Sequence, residues 1–157
     1  MTISRNNIII LAMLITTAAL ALSSCGRRAV YSHFETISRE GWDKADTMHF
    51  IVPAGNGGNH AMTLGLRANS AYPYTDVTLS VGVRTAKTGE IRTDTVSIDI
   101  TDKDGNSLGT GLGVRQFSAI LSTIDTRDGD TIAITITHAM ERRILPGITD
   151  VGITMEE

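Results

Sequence analysis

The chain opens on an apolar run over residues 8–22, broken only by Thr16 and Thr17, and then changes character. The run has about 15 residues, whereas a membrane-spanning helix needs roughly 20. Beyond it the dominant pattern is strict alternation. Over residues 75–84, Val77, Leu79, Val81 and Val83 point one way, while Asp76, Thr78, Ser80, Gly82 and Arg84 point the other. Period two of this length predicts a strand with one buried face. Met62, Leu64 and Leu66 repeat the pattern, as do Val96, Ile98 and Ile100, then Ile132, Ile134 and Ile136, then Val151, Ile153 and Met155. Met48, Phe50 and Val52 give a weaker sixth case, and the outward faces are rich in threonine, which suits exposed strand positions.

Turn chemistry separates these runs. Asp104-Gly105 and Asp128-Gly129 are turn dipeptides, and residues 53–59, with three glycines and a proline, predict a mobile surface loop. One segment departs from period two: Phe117, Ile120, Leu121 and Ile124 fall at helical spacing, so residues 115–124 are expected to form a short helix or an irregular crossing. The fold class expected is all-β, an antiparallel two-sheet β-sandwich of jelly-roll type. Val81, Ile98 and Ile134 should be buried near mid-strand. No internal repeat and no linker divides the domain.

The apolar run acquires meaning from its flanks. Arg5 precedes it, Ser23 and Ser24 follow, and then comes Cys25, the one cysteine. A positive end, a short apolar core and small residues make a secretory signal peptide. Leu22-Ser23-Ser24-Cys25 resembles the lipobox of bacterial lipoproteins, which implies cleavage before Cys25 and lipid on its thiol. A lone cysteine in an exported protein has no internal disulfide partner, and lipid attachment accounts for it. The expected organisation is a signal peptide over 1–24, a lipidated tether over 25–29 and one β domain over 30–157. The anchor is membrane lipid, since two or three acyl chains hold stably. Gly26-Arg27-Arg28 is either a plain soluble tether or a contact for anionic headgroups.

Composition then narrows the classes. Taking 24 from 157 residues leaves 133, enough for a single core without a disulfide. Arg5 leaves with the leader, so 13 basic residues face all 17 acids, and a charge near −4 gives no basis for nucleic-acid binding. Catalytic motifs are missing: there is no Gly-x-Ser-x-Gly, no His-Glu-x-x-His and no phosphate loop. In Gly109-Thr110-Gly111-Leu112-Gly113 the third glycine of a dinucleotide fingerprint would fall at Val114, so this is a glycine-rich loop against the sheet. Asp102-Lys103-Asp104-Gly105-Asn106 resembles the start of a calcium loop, but the twelfth position is Gly113 rather than a glutamate. A polar turn is the expected reading, with a weak calcium site near Asp102 and Asp104 as its rival; no cofactor and no structural metal are expected.

The histidines at 33, 49, 60 and 138 lack the spacing of a local metal pair. His138 continues the phase of Ile132, Ile134 and Ile136, so it starts on the buried face: either a hydrogen-bonded histidine at the core edge or a ligand or general base. Trp42 is either a core plug or an exposed recognition residue. Tyr72-Pro73-Tyr74 is the best candidate for an interaction surface, because proline stiffens it and tyrosine is enriched at interfaces; the rival is that both rings cap the core.

The order of these motifs resembles the GldH gliding motility lipoprotein family of Bacteroidetes. The pieces are Cys25, Val30-Tyr31, Trp42 before the Phe50 strand, Leu66-Arg67, Ala71-Tyr72-Pro73-Tyr74-Thr75-Asp76-Val77, Asp94-Thr95, Asp104-Gly105 and Gly109-Thr110-Gly111. His138-Ala139-Met140 and Leu145-Pro146-Gly147-Ile148-Thr149-Asp150-Val151-Gly152-Ile153 complete them. The family pattern sets an arginine directly after the methionine; here Glu141 intervenes and Arg142-Arg143 follow. The resemblance implies an outer-membrane lipoprotein of the gliding or envelope-assembly machinery, with protein partners in the outer membrane or periplasm and no reaction of its own. Surface-exported lipoproteins of that phylum carry an acidic run after the cysteine, so Gly26-Arg27-Arg28 predicts a periplasm-facing anchor. Two functions follow: a non-catalytic interaction subunit, or a membrane-anchored module that captures glycan or another small ligand.

Overall fold

The computed structural model describes residues 29–85, 89 and 91–157. The expected signal peptide over 1–24, Cys25 and residues 26–28 lie outside the described residues. Ten strands follow in order: β1 (Ala29–Thr36), β2 (Trp42–Asp43), β3 (Met48–Pro53), β4 (Gly58–Ala68), β5 (Asp76–Thr85), β6 (Ile91–Asp99), β7 (Arg115–Thr126), β8 (Thr131–His138), β9 (Ile144–Leu145) and β10 (Ile148–Glu156). One sheet has the order β1-β10-β4-β7 and the other β3-β8-β5-β6, with β2 and β9 forming a two-stranded ribbon. Every pairing is antiparallel. The long strands pair as nested couples, β1 with β10, β3 with β8, β4 with β7 and β5 with β6, and alternate couples enter alternate sheets. That is the jelly-roll arrangement, a rolled-up long hairpin.

Alternation sets which face each strand buries. Met62, Leu64 and Leu66 of β4, Val77, Leu79 and Val81 of β5, Ile132, Ile134 and Ile136 of β8, and Val151, Ile153 and Met155 of β10 are all buried between the sheets. Ile98 closes the core from β6, and Phe50 and Val52 from β3. A Leu or Ile side chain taken fully out of water contributes about 1.5–3 kcal/mol, so this shared interior is what holds the sheets together.

The structure corrects two expectations. Residues 115–124 are no helix; they belong to β7. Met62 pairs with Ser122 and Thr63 with Ile120, leaving Leu121 as an inserted residue. Phe117, Ala119 and Leu121 face inward before this bulge, and Ser122, Ile124 and Thr126 after it. The apolar positions 117, 121 and 124 thus stand at offsets of four and three, which imitates a helical face. Ile120 is 83% exposed, as the strand phase requires. The second correction concerns 53–59. Pro53 ends β3 and Gly58-Asn59 open β4. The bend between them is pinned: Ala54 is buried and its N–H donates to the Asp130 carbonyl (2.9 Å), while the Gly129 N–H donates to the Gly55 carbonyl (3.0 Å).

β1 shows no clean alternation because its Phe34 packs outward. Phe34 lies over Gly152 of β10 and Gly65 of β4, which pair directly, and its ring occupies the space a Cβ would take at either glycine. The Arg67 guanidinium covers the ring from above, 4.1 Å from its centroid. Two absent side chains therefore seat one aromatic ring and fix the edge strand.

Candidate functional site

The pairing registers give the sandwich two different ends. At one end Ala29 starts β1 beside Glu156, and short connections run over 54–57 and 127–130. At the other end lie the long connections 37–47, 69–75, 100–114 and 139–147. Trp42, Tyr72, Pro73, Tyr74, Asp102, Asp104, the 109–113 glycines, His138 and Arg142 all fall at this loop end, opposite the point where the chain enters.

His138 is the last residue of β8 and is buried. Its Nε2 lies 3.2 Å from the carbonyl oxygens of both Trp42 and Arg143, so Nε2 carries the hydrogen and donates to that pair. Trp42, also buried, meets the imidazole edge-on with centroids 5.4 Å apart, and its Nε1–H donates to the Asp46 carbonyl at 3.0 Å. Trp42 pairs with Leu145 in the β2–β9 ribbon, so His138 fastens that ribbon to the core. Nδ1 is buried without a hydrogen-bond partner. Burial holds the imidazole pKa below its ordinary value, against the raising effect of the two carbonyls. With Nε2 committed to backbone and Nδ1 enclosed, this histidine is a structural fastener. Asp43 is held below the usual carboxylate range first by the Ala45 N–H, with Arg143 adding to it; Arg143 Nε reaches Asp43 Oδ2 at 3.2 Å. Of the Arg142-Arg143 pair that follows Glu141, Arg143 makes this contact and Arg142 is exposed.

The tyrosine motif divides. Tyr72 is buried, and its hydroxyl donates to the Asp76 carbonyl at 2.8 Å. Burial pushes its phenol pKa upward. Gly147 packs against the backbone of Ala71 and Tyr72 with no room for a Cβ, so Pro146-Gly147 and Tyr72 are two halves of one contact. Tyr74, half-buried, meets Tyr72 edge-on at 5.6 Å, and Pro73 is exposed. Of the two readings, Tyr72 follows the one in which the ring caps the core, and Pro73 with the outer edge of Tyr74 is the part left at the surface.

Asp102 spends its carboxylate locally. Oδ1 accepts from the backbone N–H groups of Asp104 (2.9 Å) and Asn106 (2.8 Å), and Oδ2 from the Asn106 side-chain amide (3.0 Å). The Asn106 amide is the main cause that holds its pKa low. This is the polar turn, and among the described residues no group of three His, Cys, Asp or Glu side chains is placed to hold a metal ion.

Two surface features escaped the sequence reading. Leu108, Leu112 and Val114 stand exposed on the glycine-rich loop, 55%, 98% and 44% respectively. Beside them a depression of about 450 Å3 is lined by Arg67, Thr110, Gly111, Val114, Gln116 and Asp150. The glycines around Leu112 were the available signal: such a leucine has no neighbour large enough to cover it.

The class defined by this geometry is an antiparallel jelly-roll sandwich with its motif residues gathered at the end away from chain entry. The chain belongs to the GldH lipoprotein family, whose family model matches residues 29–155. It is similar to a gliding motility lipoprotein GldH homolog of Christiangramia forsetii, with 25% identity over 148 residues, spanning 88% of this chain and 90% of that protein. Among solved structures it is similar to a family 35 carbohydrate binding module from Clostridium thermocellum, at 12% identity and a TM-score of 0.42, covering 80% of this chain and 89% of that one. A second such module, from Cellvibrio japonicus, has 13% identity and a TM-score of 0.39, covering 83% and 88%.

Proposed function

We propose that this lipoprotein is processed before Cys25, held by lipid on the periplasmic face of the outer membrane, and works without catalysis as an interaction subunit of a gliding-motility or outer-membrane assembly machinery. The observation that carries this reading is the polarity of the fold. The described chain starts at Ala29 at one end, and the long loops project from the opposite end. Only four peptide steps separate Cys25 from Ala29, a reach of at most about 14 Å, so the short-loop end is tied to the bilayer and the loop end is presented away from it. The named relative supports the gliding assignment. A glycan-capturing role finds less support, since sugar sites stack on exposed aromatic rings while Trp42 and Tyr72 are buried.

The anchor is tested by growing cells with an alkyne fatty acid. The wild-type chain should be labelled and fractionate with outer membrane, and Cys25→Ala should give an unlabelled, unprocessed or soluble product. Labelling that persists in the variant would refute the anchor.

A further inference from the structure

Ile51 and Ile91 are both exposed, 64% and 67%, on the two edge strands of one sheet. The pairing registers set them in a single row: Ile51 of β3 opposite Ala133 of β8, Ala133 opposite Arg84 of β5, and Arg84 opposite Ile91 of β6. The row lies on the outer face, because the alternating neighbours Phe50, Val52, Ile132 and Ile134 are buried. Three strand spacings part the isoleucines, about 14 Å. The row behind holds His49, Thr135, Gly82 and Thr93, and a Cβ on Gly82 would meet Thr135 Oγ1 at 2.6 Å. Ala133 and Gly82 keep the middle of this surface low, and a trough of about 320 Å3 is lined by them, both isoleucines and Arg84.

This face changes chemistry along its length. The isoleucine row stands one row in from Pro53 and Thr131, which end the sheet on the side of chain entry. It holds one cation, Arg84, which is exposed and makes no ion pair among the described residues. Hydroxyls follow, with Thr137, Ser80 and Thr95 in one row and Thr78 opposite Ser97 further on. The face closes at the loop end on two carboxylates, Asp76 opposite Asp99, about 26 Å from Arg84. In the turn before β8, Asp128 accepts from the Gly57 N–H (2.6 Å) and Asp130 from the Arg127 N–H (2.9 Å). Lys87 and Glu90, between β5 and β6, lie outside the described residues, and their formal charges cancel.

The point of chain entry identifies what lies against this row. Val30 Cγ1 is 3.6 Å from where a Gly55 Cβ would stand, and the rings of His33 and Phe50 meet with centroids 6.3 Å apart. Strand β1 therefore enters beside β3 and the bend that follows it. Gly55 is four residues from Ile51, at most about 14 Å of chain. Cys25 is four peptide steps from Ala29, with Arg27 and Arg28 between them. A lipidated Cys25 thus keeps the row within about two tether lengths of the headgroups, and a contact made on a tether needs little affinity of its own. Leu112 is more exposed but sits at the loop end, and Ile120 faces outward from the opposite sheet. We propose that the row Ile51, Ala133, Arg84 and Ile91 rests on the bilayer that holds the lipid. The isoleucines enter the headgroup layer, and Arg84 joins Arg27 and Arg28 at anionic phosphates. Asp76 and Asp99 are repelled from the same surface, so the domain leans on the entry-end rows of this sheet and its long loops stay clear of the membrane. This rests on the reading of Cys25 as the lipid anchor.

The test uses the full lipidated protein, purified and reconstituted into phosphatidylethanolamine–phosphatidylglycerol vesicles that carry a headgroup nitroxide lipid. Once lipidated, Cys25, the one cysteine, offers no thiol, so Ile51→Cys, Ile91→Cys and Ile120→Cys each take a single environment-sensitive fluorophore at an exposed position. Labels at 51 and 91 should shift to the blue and be quenched by the nitroxide, while the label at 120 stays aqueous, all with wild-type melting temperature. Adding Ile91→Asp to the protein labelled at 51 should lower the ratio of contacting to free domains about tenfold, as loss of one buried isoleucine does, and weaken that quenching. A protein that fails to float with the vesicles overturns the anchor and the contact together. Flotation with labels 51 and 91 as aqueous as 120, equal quenching at all three, or quenching at 51 that ignores Ile91→Asp overturns the contact alone. A blue shift without quenching makes the occupant a second copy of the chain. Aqueous labels in vesicles with thiols protected from maleimide in native envelopes make it a partner protein, and either outcome overturns the bilayer.

Discussion

His138 shows how one side chain can carry chemistry that sequence phase alone leaves open. Its phase marked it as buried, but the groups it binds, the carbonyls of Trp42 and Arg143, lie 96 and five positions away, one of them far beyond local reading. Replacing it by alanine leaves two carbonyls without their donor and a hole beside Trp42, at a cost of roughly 2–4 kcal/mol. Glutamine offers an amide N–H near the position of Nε2 and should recover much of that loss. The two variants also separate packing from titration. The folded-state pKa of His138 is lowered, so the unfolded chain takes up its proton first. The stability it contributes is therefore complete above the unfolded value of about 6.5 and declines as pH falls below it. Asp43 opposes the depression and Lys44 adds to it, both secondary to burial. Urea unfolding at pH 8 and pH 5 should show wild type losing more stability on acidification than His138→Gln does. Equal losses in the two proteins would mean that this ring does not resist its proton.

At the scale of elements, what was legible followed one rule: a strand shows itself when one face is buried and the register is unbroken. β4, β5 and β8 meet both conditions, as does β10 from Asp150 onward, past a shift in its pairing at Thr149, and their apolar positions could be read directly. β7 fails the second, because the inserted Leu121 moves the inward face by one residue. β1 fails the first, since Phe34 faces out onto two glycines that no local pattern connects. The β2–β9 ribbon is two residues long on each side and joins positions about a hundred apart, so it carries no periodicity at all. The candidate site behaved alike: Trp42 and His138 could be read as buried, whereas their contact, and the fate of Tyr72 under Gly147, required the fold. The phase assignment itself has a direct test. Val81, Ile98 and Ile134 are buried in three strands of one sheet, and truncating any of them to alanine should cost roughly 2–4 kcal/mol. Thr78→Ala, on the outward face of β5 with only a long 3.4 Å contact to Ser97, should stay within about 0.5 kcal/mol. Comparable small changes in chemical denaturation for both classes would show that the burial pattern does not govern stability.

For the whole molecule the arrangement of ends matters more than any single residue. A jelly roll places alternate connections at opposite ends, so a chain that enters at one end and carries its length in the 37–47, 69–75, 100–114 and 139–147 connections has an entry end and a loop end. With the proposed anchor at Cys25, the tether decides which compartment the loop end meets. Gly26-Arg27-Arg28 places two cations, and no acid, directly after Cys25. Cations at that position favour contact with anionic headgroups beside the acyl chains, and the acidic run that accompanies surface export is missing. The domain should therefore hang from the inner leaflet of the outer membrane with its loops in the periplasm. Proteinase K added to intact cells should spare it, and the same protease after permeabilisation of the outer membrane should gain access to it. Degradation in intact cells would place the loop end outside the cell, and would turn the search for its partner from the periplasm to the surface.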